Sequence, residues 1–360
     1  MNSNLQMKEI FSKKRILITG NTGFKGSWLT AILQKFGAQV AGFSMKPKTS
    51  PSMFELLMQK NTIDQTFGDI SIYDQVLSKV KEFKPDFIFH LAAESLVSVA
   101  YESPLKTYLT NSLGTANLLE VLRVTDYSGI VIFITSDKCY ENDGRLNGYK
   151  EDDRLGGIDP YSASKASAEL IISSYYRSFF KQPSKTLIGV ARAGNVIGGG
   201  DWNKNRIIVD CIKAWSSNQE IVIRNPHSTR PWQHVLEPLN GYLKLACAIK
   251  NNPDLSGVPF NFGPKLSASL TVFELVNKFA EIWKDEYSYS TLKINQKELY
   301  PEENFLALDS SRAEFELGWK CKLDITETLK LTHDWYKTFF NNSKKIEEIT
   351  DLQIESYFKL

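Results

Sequence analysis

The sequence has no long apolar run, few cysteines and almost no net charge. Its longest strongly apolar stretch, Ile130 to Ile134, is short. A membrane-spanning helix needs about 20 such residues, so no membrane partner is expected. The N-terminus, MNSNLQMKEIFSKKR, is polar and has no apolar h-region, so it is not a secretory signal. The four cysteines, Cys139, Cys211, Cys247 and Cys321, lie far apart and form no CxxC pair. Neither a zinc site nor a disulfide framework is suggested, and a reduced, cytoplasmic location fits. The four histidines, His90, His227, His234 and His333, are not grouped at metal-ligand spacings, so no metal is expected. A net charge of +2 is too balanced for a dedicated nucleic-acid or membrane-surface binder. The chain carries no internal repeat and no low-complexity segment.

What is present is ordinary for a globular protein: 360 residues, 42% hydrophobic and 23% charged. That length corresponds to about two domains or lobes. Residues 1 to 13 read as a polar lead-in. Strands are expected at Arg15–Thr19, Gln39–Phe43, Phe87–Leu91, Ile130–Thr135 and Thr186–Ala191. Helical apolar spacing runs through Trp28, Leu29, Ile32, Leu33 and Phe36, and helices are expected over 74–83, 104–123 and 161–180. This alternation predicts an α/β fold with a doubly wound parallel sheet, Rossmann-like, over residues 1–192. Beyond residue 192 glycines and prolines loosen the pattern. Residues 193–340 read as a smaller mixed lobe, mainly substrate-binding, with some elements returning to the first domain. Residues 341–360 read as a polar C-terminal tail or peripheral helix.

Gly20-Asn-Thr-Gly23-Phe-Lys-Gly26 follows a strand and opens a helix. Glycines at this spacing let the backbone turn tightly and approach a pyrophosphate at the helix N-terminus. The acidic residue expected about 20 positions further on, against an adenosine ribose, is missing. The second strand instead runs into Met45-Lys46-Pro47-Lys48, which is compatible with a 2′-phosphate or with plain solvated lysines. Gly68-Asp69-Ile70 is a candidate adenine contact.

Tyr161-Ser-Ala-Ser-Lys165 puts a phenol and an amine four residues apart, on one helix face. Alone, such a pair would by default be an exposed one. Behind a glycine-rich turn it suits a phenolate base supported by an ammonium and a positive nicotinamide ring. Ser136-Asp137-Lys138 ends the apolar strand at the sheet edge where such folds bind ligands. Ser136 is placed to bond a substrate hydroxyl, with Asp137 and Lys138 as adjacent acid and candidate base.

The turn at Gly20, the Ser136 position and Tyr161-xxx-Lys165 resemble the extended short-chain dehydrogenase/reductases over nearly the whole chain. Longer strings resemble the CDP-glucose 4,6-dehydratase group within them: Gly23-Phe-Lys-Gly-Ser-Trp-Leu29, Thr135-Ser-Asp-Lys-Cys-Tyr-Glu-Asn142, Gly156-Gly-Ile-Asp-Pro-Tyr161, the segment from Ala191 to Trp202, and Arg230-Pro-Trp-Gln-His-Val235. Glu94 and Ser98 depart from that group's pattern. The resemblance implies NAD as cofactor, held by Gly20, Thr22, Gly23, Phe24, Gly26, Asp69, Ile70, Ala92, Asn111, Tyr161 and Lys165. It implies a nucleotide-sugar substrate, CDP-glucose favoured, contacted by Arg230, Asn195, Arg206 and Asn261. Tyr161 would take the O4 proton with Lys165 and Ser136 assisting, Lys138 the C5 proton, and Asp137 would protonate the departing O6. The product would be a 4-keto-6-deoxy sugar for deoxysugar and surface-polysaccharide synthesis. A UDP-, GDP- or dTDP-sugar dehydratase or a 4-epimerase is the alternative, and a homodimer or homotetramer is expected.

Overall fold

The computed structural model describes residues 3–58, 63–145, 147–181, 183–223, 225–283, 293–294 and 305–360. Seven strands build the central sheet: β1 Arg15–Thr19, β2 Gln39–Ser44, β3 Asp64–Phe67, β4 Phe87–His90, β5 Gly129–Ile134, β6 Thr186–Ala193 and β7 Pro259–Phe262. They run in the order β7-β6-β5-β4-β1-β2-β3, and every neighbouring pair is parallel. The apolar runs of β1, β4 and β5 reflect burial on both faces. Alternate residues serve opposite layers: Ile130, Ile132 and Ile134 join one core, Val131 and Phe133 the other. Ile16 and Ile18 against Leu17 repeat the pattern in β1.

Helices cover both faces of the sheet. One layer holds α1 (Ser3–Phe11) and α2 (Phe24–Lys35); the other holds α3 (Tyr73–Phe83), α4 (Gly114–Val124) and α5 (Pro160–Tyr175). The expected helices over 104–123 and 161–180 form, each with a π-helical segment, at Leu109–Leu113 and Tyr176–Phe180. The polar N-terminal stretch is not a loose lead-in. It folds as α1 because Met7 and Phe11 share a face that buries against β4, with Phe11 edge-on to Phe87 at 5.1 Å.

After β6 come short strand pairs and α6 (Leu236–Asn251), which leads back to the sheet through β7. Near the C-terminus, α7 (Ile325–Asn342) opens on an Asp324–Glu327 capping box, and α8 (Ile346–Phe358) follows. Helix α8 buries Ile354 and Phe358 and sets Phe358 edge-on to Phe36 at 5.4 Å. Asp351 and Glu355 both reach Lys35 at 2.7 Å. No described helix is long and apolar enough to cross a membrane.

Candidate active site

The strand order reverses direction between β1 and β4, the position at which open parallel sheets leave a crevice beyond their C-terminal ends. A cleft of about 640 Å³ lies there, lined by the turns that follow β1, β2, β4, β5 and β6 and by residues of the C-terminal half. Of the residues expected at a site, it brings together Gly20, Thr22, Gly23, Phe24, Gly26, Asp69, Ile70, Ala92, Ser136, Asp137, Lys138, Tyr161, Lys165, Asn195, Arg206 and Arg230.

The glycine turn forms a cradle. Gly20 has a φ of +76°, and a Cβ there would meet the Ala92 nitrogen at 2.7 Å. A Cβ on Gly26 would meet the Gly20 oxygen at 2.2 Å. Helix α2 opens at Gly23 with no side-chain cap, so its first amide groups and its positive dipole end face the cleft. Thr22 donates to the Met45 carbonyl at 2.9 Å and accepts from Ser44 at 2.8 Å, which ties the cradle to the end of β2. These features fit the diphosphate of a dinucleotide. Asp69 is held by Ser71, whose backbone N–H and hydroxyl donate to its carboxylate at 2.9 and 2.8 Å.

The catalytic candidates converge at the end of β5. Helix α5 is started by Asp159, which caps the backbone N–H groups of Tyr161 and Ser162 at 2.9 and 3.0 Å. This delivers Tyr161 and Lys165, both buried, on the helix face that meets the 137–139 turn. Lys165 Nζ lies 3.5 Å from the Ile134 carbonyl. Burial lowers the ammonium to about 8, against the raising pull of Cys139 and Glu169. Burial pushes the Tyr161 phenol up to about 12; a hydrogen bond with Ser136 pulls it down, and the Asp137 carboxylate pushes it up. The Ser136 hydroxyl also donates to Asp137 Oδ1 at 2.9 Å.

Two expected ligand contacts lie elsewhere. Asn261 is fully buried and spent on the fold. It accepts from the Tyr140 hydroxyl at 2.7 Å and donates to the carbonyls of Tyr149 and Asp309 at 2.8 and 3.1 Å. Asn111 stands behind the cleft wall. It accepts from the Glu94 amide at 2.8 Å and donates to Ser164 Oγ at 2.8 Å, so it shapes the turn after β4 without facing the cleft. Of the other ligand candidates, Arg230 is buried beside the cleft with Nη1 on the Thr229 carbonyl at 2.9 Å, and Arg206 reaches the Ser95 carbonyl at 3.4 Å.

The cleft also contains a group the sequence did not single out. Lys25 lies on its floor, 3.5 Å from the Tyr242 hydroxyl. Burial brings its ammonium to about 8 although Asp137 raises it. Lys48, after β2, pairs with the buried Glu94, after β4, across the cleft mouth. Under the 137–139 turn, Arg192 makes a two-pronged bond to Glu169 at 2.9 and 2.8 Å, and both side chains are buried. Thr135 donates to the same carboxylate, and Arg192 also donates to the Tyr140 hydroxyl at 2.8 Å. An arginine inside an otherwise apolar strand, and a glutamate one helical turn beyond Lys165, were the available signals.

The sequence profile of a family described as GDP-mannose 4,6 dehydratase matches residues 17–332. The CDP-glucose 4,6-dehydratase of Salmonella typhimurium is 40% identical over 353 residues, covering 96% of this chain and 97% of that protein. A CDP-paratose 2-epimerase of Salmonella typhi is 23% identical over 345 residues, 89% of this chain and 98% of that one. A dTDP-glucose 4,6-dehydratase from Streptomyces venezuelae, solved with NAD bound, superposes with a TM-score of 0.76 at 21% identity, covering 93% of this chain and 99% of that one. A UDP-glucose 4-epimerase from Thermotoga maritima, with UDP-glucose, gives 0.76 at 21% identity over 91% and 99%.

Proposed function

Because the chain belongs to the GDP-mannose 4,6 dehydratase family, we propose that it is an NAD-dependent nucleotide-sugar 4,6-dehydratase that converts CDP-glucose to CDP-4-keto-6-deoxyglucose. The observation that carries this reading is the grouping of an acid and an amine, Asp137 and Lys138, beside Ser136 and Tyr161 in one cleft. A 4-epimerase needs the tyrosine but not the elimination pair.

The glycine cradle at Gly20, Gly23 and Gly26 would hold NAD, which would supply reversible hydride acceptance for the oxidation at C4 and the reduction at C6. The protein's own groups do the rest. Tyr161 takes the O4 proton as phenolate, and Lys165 stabilises that charge. Ser136 orients the hydroxyl. The C4 ketone acidifies the C5 proton, which Lys138 removes, and Asp137 protonates the departing O6 hydroxyl as water leaves. Lys138 then gives its proton back to C5. Arg230 and Arg206 supply guanidinium groups for the sugar nucleotide's diphosphate, since a planar fork matches phosphate oxygens. Asn195 lies beside them in the cleft.

A second copy of the chain is the natural cover for Leu105, Leu109, Leu113, Leu170 and Phe179, apolar yet 41 to 71% exposed on adjacent helices. A homodimer or homotetramer is the corresponding assembly, and the mass of the particle in solution checks it. The four free cysteines suit a reducing cytoplasm.

The deciding experiment is turnover of purified protein with CDP-, dTDP-, UDP- and GDP-glucose, following the alkaline absorbance of a 4-keto-6-deoxy product. CDP-glucose is expected to be best. Product from another nucleotide at a clearly higher rate would overturn the CDP assignment, and epimerised hexose without 6-deoxy product would overturn the dehydratase.

A further inference from the structure

Given the NAD-dependent reading above, on which this rests, we propose that Lys48 and Glu94 form a strap over the cofactor groove, which must open each time NAD enters or leaves. The reading needs one NAD to serve both the oxidation at C4 and the reduction at C6. A cofactor lost between the two would leave the sugar stranded as a ketone, so slow release is part of the chemistry.

The sheet order places the strap. β1 lies between β2 and β4, so a bond joining the turns that follow β2 and β4 crosses above the turn that follows β1, which is the glycine cradle. Lys48 stands on the first of these turns and Glu94 on the second, and Lys48 Nζ meets Glu94 Oε2 at 2.5 Å. Both residues line the same cleft as Gly20 and Gly23. Each foot of the strap is fixed to the cradle. Thr22 holds the Met45 carbonyl, just before Lys48, at 2.9 Å. Ala92, just before Glu94, packs so close to Gly20 that a Cβ on the glycine would meet the Ala92 nitrogen at 2.7 Å.

The two halves are unequal. Glu94 is the post. Its backbone N–H donates to Asn111 Oδ1 at 2.8 Å, its carbonyl accepts from Asn111 Nδ2 at 3.1 Å, and its carboxylate accepts from the Ser95 amide at 3.1 Å. Lys48 is the arm: its side chain is 58% exposed against 6% for Glu94, and its flexible stem lets it swing away. A carboxylate this buried needs a partner, whereas the ammonium loses little by returning to water. The pair therefore rests closed and opens from the lysine side. An opening step shared by entry and exit changes both rates by one factor and leaves the affinity as it was.

The test reads the two rates separately, with NADH as the probe because its fluorescence reports binding without turnover. Cofactor-free protein is mixed rapidly with NADH for association, and NADH-loaded protein is chased with excess NAD⁺ for release. Glu94→Gln and Lys48→Met are each expected to speed both rates about three- to tenfold, the scale of one part-buried charge pair, with the Kd nearly unchanged. The double variant should be no faster than either single one, because both remove the same bond. Raising NaCl to about 1 M should speed both rates in the wild type more than in the variants. Faster release with unchanged association would make the altered residue a direct contact to the cofactor, and overturns the inference. Faster association with unchanged release would mean that the pair fills the groove and parts on binding, which overturns it too. So do unchanged rates in both single variants. A wild type that holds NADH in this way but makes no 4-keto-6-deoxy product from any of the four glucose nucleotides overturns the dehydratase reading, while the strap, read by binding alone, stands.

Discussion

Gly194 makes room for Asp137: a Cβ at position 194 would lie 2.9 Å from Asp137 Oδ2. The turn after β6 thus presses its backbone against the carboxylate that ends β5, and only a residue without a side chain leaves that carboxylate beside Ser136. Gly194→Ala is expected to displace Asp137 and slow water elimination while C4 oxidation continues. Stopped-flow absorbance of the reduced nicotinamide should rise faster than 6-deoxy product appears. Equal slowing of both would show that the glycine serves the fold alone.

The same separation of steps applies to the acid and base. Asp137→Asn still bonds O6 but has no carboxylic proton to give, and Lys138→Ala removes the C5 base. Both should leave reduced nicotinamide standing in a single turnover with little 6-deoxy product. Exchange of solvent deuterium into C5 should fall in Lys138→Ala more than in Asp137→Asn. Tyr161→Phe is the contrast: it should lose about 10² to 10⁴ in the first step, with NAD still bound.

Arg230→Ala should raise the KM for the sugar nucleotide more than it lowers kcat, since a diphosphate contact acts equally in ground and transition states. Steady-state kinetics with CDP-glucose gives both numbers, and an unchanged KM would remove Arg230 from the site.

Two ion pairs predict very different stability effects. Glu169→Gln leaves the Arg192 guanidinium buried and without its carboxylate, a change that costs about 3 to 5 kcal/mol. Glu120→Gln breaks the more exposed pair with Arg123 and should cost no more than about 1 kcal/mol. Urea unfolding of the two variants should separate them clearly.

The buried lysines give stability a direction with pH. Lys25 and Lys165 sit near 8 in the folded protein, below the 10.5 of the open chain, because burial disfavours their charge. Between those values the unfolded chain binds more protons, so stability rises with pH. Above about 9 the thiols oppose the trend: burial raises Cys139, Cys211, Cys247 and Cys321, and the unfolded chain ionises first. Ligand-free protein should therefore resist urea better at about pH 9 than at about pH 8, and Lys165→Met should flatten part of that rise. An identical slope in the variant would contradict the assignment.

The sequence by itself determined five of the seven strands of the parallel sheet (β7, Pro259–Phe262, and β3 were not read), the glycine turn, and the Tyr161–Lys165 pair with the Ser136 turn. Each depends on patterns a few residues long: apolar runs, a turn that needs glycine, two side chains one helical turn apart. β3 was not legible because Asp64–Phe67 is a half-exposed edge strand whose polar residues carry no apolar run. Helix α1 looked like a polar tail because few of its residues are apolar, with Met7 and Phe11 the buried ones and Ile10 partly buried against the same core. Only the tertiary structure decided which polar residues face the cleft. Asn261 meets Tyr140 across 121 positions, Arg192 meets Glu169 across 23, and Lys48 meets Glu94 across 46. A buried polar atom must find a partner wherever the chain path brings one. Whether an asparagine binds a ligand or is consumed inside the fold is therefore set by neighbours far away in sequence.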